Sequence, residues 1–274
     1  MNIRIGFEMT FSTPAPTPIV ALLYVHPDIS HRLQEPERLI IDPAVTIEDF
    51  TDSFGNRAGR FVARPGKLTL RYDNVIEDTG EPEPAYPTAR QHRVEELPTD
   101  TLQFLLASRY CEVDRMLDLS WDLFGKTPQG WLRVQAICDW VYNHIEFGYP
   151  YASPTKSAWE VYEDGRGVCR DYMHLAITFC RCMNIPARYA TGYLGDIAWP
   201  VTGPMDFSAF FEVFLDGRWH PFDARNNARR IGRVVMARGR DAADTALTTS
   251  FTPLLLENFV VVSDEIRTEG GSVG

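Results

Sequence analysis

A glycine-flanked loop, Gly165-Arg166-Gly167-Val168, runs directly into Cys169, and beyond it the residues take up a helical pattern. Leu175, Phe179 and Cys182 recur at i, i+4 and i+7, the spacing of one buried stripe, and the segment closes at Asn184 before Ile185-Pro186. Cys169 is therefore expected to open a helix. Unpaired N–H groups and the positive dipole end favour a thiolate there, which predicts a pKa below the ordinary value of about 8.5. Such a thiolate attacks carbonyl carbon, and it needs a base that titrates near neutrality to take the thiol proton and return it to a leaving amine.

The elements that must hold that chemistry follow in order. Residues 187–194 and 208–215 read as strands, and the Asp216-Gly217 dipeptide joins the second of these to 218–223 as a hairpin. A helix is thus followed by antiparallel strands, and the hairpin pair should lie beside the helix.

Gly167-Val168-Cys169-Arg170-Asp171-Tyr172, the Ile185-Pro186-Ala187-Arg188-Tyr189 strand and Asp223 resemble the core of the transglutaminase-like superfamily, over roughly residues 97–262. The resemblance implies a papain-like Cys-His-Asp triad in an α+β fold, with Cys169 as nucleophile and Asp223 as the residue that orients the base. It also implies a His-Ala-Trp stretch at the start of the middle strand. Aligned on Glu212-Val213, that stretch reads Ser208-Ala209-Phe210, so Ser208 stands at the histidine position. A serine hydroxyl does not titrate near neutrality and cannot replace the base.

The histidines offer no obvious substitute. His220 has the opposite strand parity from Asp223, and His174 lies five residues past Cys169, about 140° round the helix. His144, His26, His31 and His92 are not excluded by spacing, but ordinary structural or surface roles are the simpler reading for each.

The rest of the composition sets limits. The 274 residues contain 27 basic and 37 acidic side chains, a net charge of −10 that argues against nucleic acid or an anionic membrane as partner. A peptide or protein substrate is the expected partner. Five cysteines without paired spacing suit reduced thiols, Cys180 and Cys182 read as core together with Cys111 and Cys138, and no cofactor or metal set is expected. No secretion signal or membrane-length apolar run is visible, so a cytoplasmic location is expected.

Two domains are expected at this length. Alternation at Ile3, Ile5, Phe7, Met9 and Phe11, with further strands at 45–47, 61–63 and 68–72, predicts a β-sandwich-like domain over residues 1–90. The proline-bearing stretch 77–100 reads as a connector into a transglutaminase-like domain at 91–274. There a helix is expected over 112–124, then one capped by Thr127 with Pro128 at its first position. Arg229, Arg230, Arg233, Arg238 and Arg240 could steer a carboxylate, although pairing with nearby acids is the simpler reading. Residues 259–262 read as a closing strand and Gly270-Gly271-Ser272 as a disordered tail. Two functions remain open, thiol acyl transfer or amide hydrolysis at Cys169 and a non-catalytic peptide-binding descendant.

Overall fold

The computed structural model describes residues 1–201, 203 and 205–267, so the expected glycine-rich tail lies outside the described residues. The first half forms β1 (Asn2–Thr13), β2 (Thr17–Ala21), a short α1 (Pro27–Ser30), β3 (Ile40–Asp42), β4 (Glu48–Thr51), β5 (Arg57–Ala63) and β6 (Gly66–Glu77). The strand expected at 45–47 falls three residues later, at β4. The second half runs α2 (Val113–Phe124), α3 (Trp131–His144), β7 (Glu146–Phe147), α4 (Ala158–Asp164), β8 (Arg166–Gly167), α5 (Cys169–Cys182), β9 (Ala187–Tyr193), β10 (Ser208–Leu215), β11 (Arg218–Phe222), β12 (Val234–Gly239), β13 (Thr248–Ser250) and β14 (Leu255–Glu265).

Three antiparallel four-stranded sheets result, in the orders β14-β1-β6-β3, β13-β2-β5-β4 and β11-β10-β9-β12. The first two contain the β-rich half, and the third carries the helices. The last part of the chain crosses back: β14 pairs with β1 along Ile3↔Glu265 to Ser12↔Leu255, and β13 pairs with β2. Sequence order and sheet membership thus part company at residue 248, because the alternating apolar residues of β1 have a long edge that β14 covers.

The helix expected at Cys169 is α5. Its first turn is fixed by Asp171, whose carboxylate accepts the Val168 N–H at 2.9 Å. Gly167 permits this closure, since a Cβ there would come within 2.7 Å of the Asp171 Cβ. From Asp171 to Cys182 every residue of the helix is buried. Leu175, Ile177 and Phe179 share one core with Val134, Ile137 and Val141 of α3 and with Ala209, Phe211, Val213 and Leu215 of β10. Fully burying each large apolar side chain of this kind contributes roughly 1.5–3 kcal/mol.

Helix α3 corrects the expected cap. It begins at Trp131, whose N–H bonds to the Ala89 carbonyl at 3.1 Å. Thr127 instead donates its hydroxyl to the Phe124 carbonyl and accepts from Arg133 Nε at 3.1 Å, so it locks the turn between the helices.

The opposite face of the third sheet packs on the β-rich half. Tyr193, Phe207, Val234 and Met236 share a core with Ile3, Ile5 and Phe7, and the Phe207 ring lies 5.8 Å from Phe7 and 5.1 Å from Tyr193. A buried charge network reinforces this seam. Glu212 accepts from Arg188 Nε at 2.6 Å and Arg238 Nε at 2.8 Å, and Arg238 reaches across to Asp28 at 2.7 Å and His26 Nδ1 at 3.0 Å.

Candidate active site

Strand β10 supplies the wall against which Cys169 is set. The β10–β11 ladder ends at Phe211↔Phe222, so the first residues of β10 extend past their partner at the end where α5 begins. Cys169, Ser208, Asp206, Phe207, Arg225 and Asn226 line one cavity there, of about 450 Å³, closed further by Phe147, Tyr149, Leu194 and Met205. Alternation along β10 sends Ala209, Phe211 and Val213 toward α5, while Phe210 and Glu212, which share the parity of Ser208, point to the other face.

Cys169 as a residue stays partly exposed. Burial pushes the thiol up from its ordinary value, against the Ala209 amide, the Arg225 guanidinium and the Arg170 amide, which hold it down. The lowered pKa expected from the helix N-terminus is therefore corrected, because desolvation of the charged sulfur outweighs these favourable dipoles and the cation.

Asp223 sits just beyond β11 and builds a turn. Its Oδ1 accepts the N–H groups of Arg225 and Asn226 at 3.0 and 2.9 Å, and its Oδ2 accepts from Asn226 Nδ2 at 2.7 Å and Arg233 Nη2 at 3.2 Å. Four donors occupy the lone-pair sites of an ionised carboxylate. Arg233 is in turn bonded to Glu83 at 2.6 Å and lies 4.5 Å above the Phe210 ring, so the network ties the connector to the end of the sheet. Among the described residues the Ser208 hydroxyl donates only to the Ala209 carbonyl, at 3.4 Å.

None of the six histidines lines the cavity. The two considered by spacing are buried elsewhere: His220 bonds the Leu215 carbonyl at 3.1 Å, and His174 accepts the Ala242 N–H at 3.2 Å with its ring stacked on Tyr110. His144 bonds the Tyr162 carbonyl at 2.8 Å, His92 accepts the Gly217 N–H at 2.8 Å, His26 belongs to the Arg238 network, and His31 is exposed.

Comparison with known proteins agrees with this architecture. The family model described as the transglutaminase-like superfamily matches residues 122–224. A crystal structure of a proposed cysteine protease from Cytophaga hutchinsonii is 30% identical, with a TM-score of 0.83 over 98% of this chain and 92% of its own. The chain belongs to the transglutaminase-like superfamily. An uncharacterized protein of Mycobacterium leprae is 27% identical over 117 residues, and the match spans only 42% of that relative's length.

For this transglutaminase-like chain, the residues legible as candidates divide unevenly. Cys169 and Ser208 share the cavity, whereas Asp223 lies behind Asn226 and lines a second cleft, of about 280 Å³, with Glu83, Trp131 and Cys138. Among the cavity residues that escaped the sequence reading are Asp206, Arg225 and Asn226. The last two carry a faint signal, since an Asp at the end of a strand commonly bonds the backbone two residues on and turns the chain. Burial pushes the Asp206 carboxyl up, against the Phe207 amide and Arg225. Arg230, Arg233, Arg238 and Arg240 pair with Asp196, Glu83, Asp223, Asp28, Glu212 and Asp244, as the pairing reading expects, whereas Arg229 donates to the Glu83 backbone carbonyl.

Among the described residues there is no group of three His, Cys, Asp or Glu side chains arranged to hold a metal ion, and no helix is long and apolar enough to cross a membrane.

Proposed function

We propose that this protein carries out thiol acyl transfer or hydrolysis on amides of peptide or protein substrates through Cys169, at a turnover far below that of a complete triad. The observation that supports this is the partly exposed Cys169 at the head of α5, opening into a cavity of about 450 Å³ with the Ala209 amide turned toward its sulfur. The Cys169 sulfur attacks the carbonyl carbon, and the Cys169 and Ala209 N–H groups are the donors available to the oxyanion. The C–N bond then breaks, leaving a thioester on Cys169 and an amine. The thiol proton leaves to solvent and the amine takes one from solvent, since Ser208 stands where the family has its histidine. Loss of that base costs roughly 10⁴ to 10⁶ in turnover in protease knockouts, with oxyanion stabilisation and binding left behind.

Intact-mass measurement of the protein incubated with activated acyl esters and with glutamine peptides tests this, run beside Cys169→Ala. The expected result is an acyl adduct on the native protein, absent from the variant, and slow cysteine-dependent release of amine. Absence of both favours the second reading, a peptide-binding cleft without chemistry, which the saturated Asp223 carboxylate and the raised thiol pKa support.

A further inference from the structure

The cavity holds two guanidinium groups. Arg230 is committed, since its Nη2 donates to the Gly195 carbonyl at 3.0 Å and to Asp196 at 3.3 Å. Arg225 differs. Its backbone N–H is pinned by Asp223, and its guanidinium lies 4.1 Å over the Phe147 ring, yet among the described residues that guanidinium takes part in no hydrogen bond or ion pair. It is close enough to bias the Cys169 thiol, the Asp206 carboxyl and the Tyr149 hydroxyl, all of them groups of this cavity. A forked, permanently charged donor set held against a ring face, with no hydrogen-bond partner among the described residues, suits bidentate recognition of a carboxylate.

We infer that Arg225 is a specificity residue for a carboxylate carried by the acyl group that Cys169 attacks, so that the substrates are acidic acyl donors such as peptides with Asp, Glu or a terminal carboxylate beside the scissile amide. This rests on the reading of Cys169 as nucleophile and adds the substrate class. Asp223 then acts as a positioning residue, since its Oδ1 holds the turn that presents Arg225 and Asn226 to the thiol. The acidic protein surface makes the assignment sharper: with a net charge of −10, an anionic ligand has to be drawn in by a local cation.

The test compares alkylation of Cys169 by iodoacetate and iodoacetamide, reagents of similar size that differ in the carboxylate. Both consume the same thiolate, so the ratio of their rates cancels any effect of Arg225 on the thiol pKa. The native protein should favour iodoacetate by about tenfold over the ratio shown by free cysteine, Arg225→Gln should fall to the free-cysteine ratio, and Arg225→Lys should retain part of the preference. If both reagents slow together in Arg225→Gln with an unchanged ratio, the guanidinium serves only the thiolate and the inference is wrong. A second measurement avoids the nucleophile altogether. Calorimetry on Cys169→Ala should show glutarate binding at least tenfold tighter than glutaramide, with the difference lost in Cys169→Ala/Arg225→Gln. Equal binding, or none, overturns carboxylate recognition, whereas failure of acyl-adduct formation in the native protein would count against the nucleophile reading alone.

Discussion

Asn226 donates its side-chain amide to the Asp223 carboxylate at 2.7 Å and at the same time lines the cavity that holds Cys169. It therefore links the cavity that holds the sulfur to the carboxylate. An amide can satisfy Asp223 but does not take up a proton near neutral pH.

This relationship changes which substitution should restore a base. Ser208→His alone introduces an imidazole beside a carboxylate whose four acceptor positions are filled. Asn226→His replaces one of those donors with a ring N–H and leaves the other ring nitrogen for the thiol. Asn226→His is expected to bring the midpoint of the Cys169 alkylation profile down toward neutrality and to raise amide turnover by at least tenfold, with Ser208→His giving a smaller change. The reverse order of the two variants would show that Ser208 is the better position.

Cys169 should label before the other cysteines and yet titrate late. It is partly exposed, while Cys111, Cys138, Cys180 and Cys182 are buried. Iodoacetamide followed by peptide mapping should find the first label on Cys169, with a rate that is still climbing above pH 9, because burial pushes its thiol up. A plateau reached by pH 7 would contradict the raised pKa.

Asp223→Ala removes the acceptor of two backbone N–H groups, one amide and the Arg233 guanidinium. The buried Arg233 would keep Glu83 but lose its second carboxylate, and breaking a buried ion pair of this kind costs about 3–5 kcal/mol. Chemical denaturation should show a loss of that size, and the same variant should lose the iodoacetate preference as the turn relaxes. Arg233→Met tests the charge separately and should cost stability while leaving the turn hydrogen bonds from Arg225 and Asn226 in place.

His26 supplies a pH dependence that is independent of catalysis. Burial, helped by the neighbouring Arg238, pulls its pKa from 6.5 down to about 4, with Asp28 and Glu212 opposing and Arg188 adding to the fall. Between those two pH values the unfolded chain binds more protons at this site than the folded one, so stability rises with pH through the window and is lost as pH falls from 6.5 toward 4. The melting temperature of the native protein should drop across that window. In His26→Gln the drop should be shallower, and an identical slope in both would remove His26 as its cause.

Much of the scaffold follows from local pattern. The α5 stripe, the β9 and β10 strands and the Asp216-Gly217 hairpin lie where spacing predicts them, because each rests on residues close in sequence: a 3.6-residue period, alternation, or a turn in which Asp216 and Gly217 both take positive φ, of 50° and 79°. The Gly-rich approach to Cys169 was legible for the same reason. Three other matters depended on groups distant in the chain. The sign of the Cys169 pKa shift follows from how much water its neighbours exclude, which a helix-start pattern does not encode. The return of β14 to β1 joins residues some 250 positions apart, and only the unpaired edge of β1 selects it. Arg225 and Asn226 look like two polar residues in an ordinary turn. They become part of the cavity because Asp223 folds the chain back on itself there, while Glu83, Asp196 and Glu212 claim the arginines that had looked more available and leave Arg225 facing the thiol.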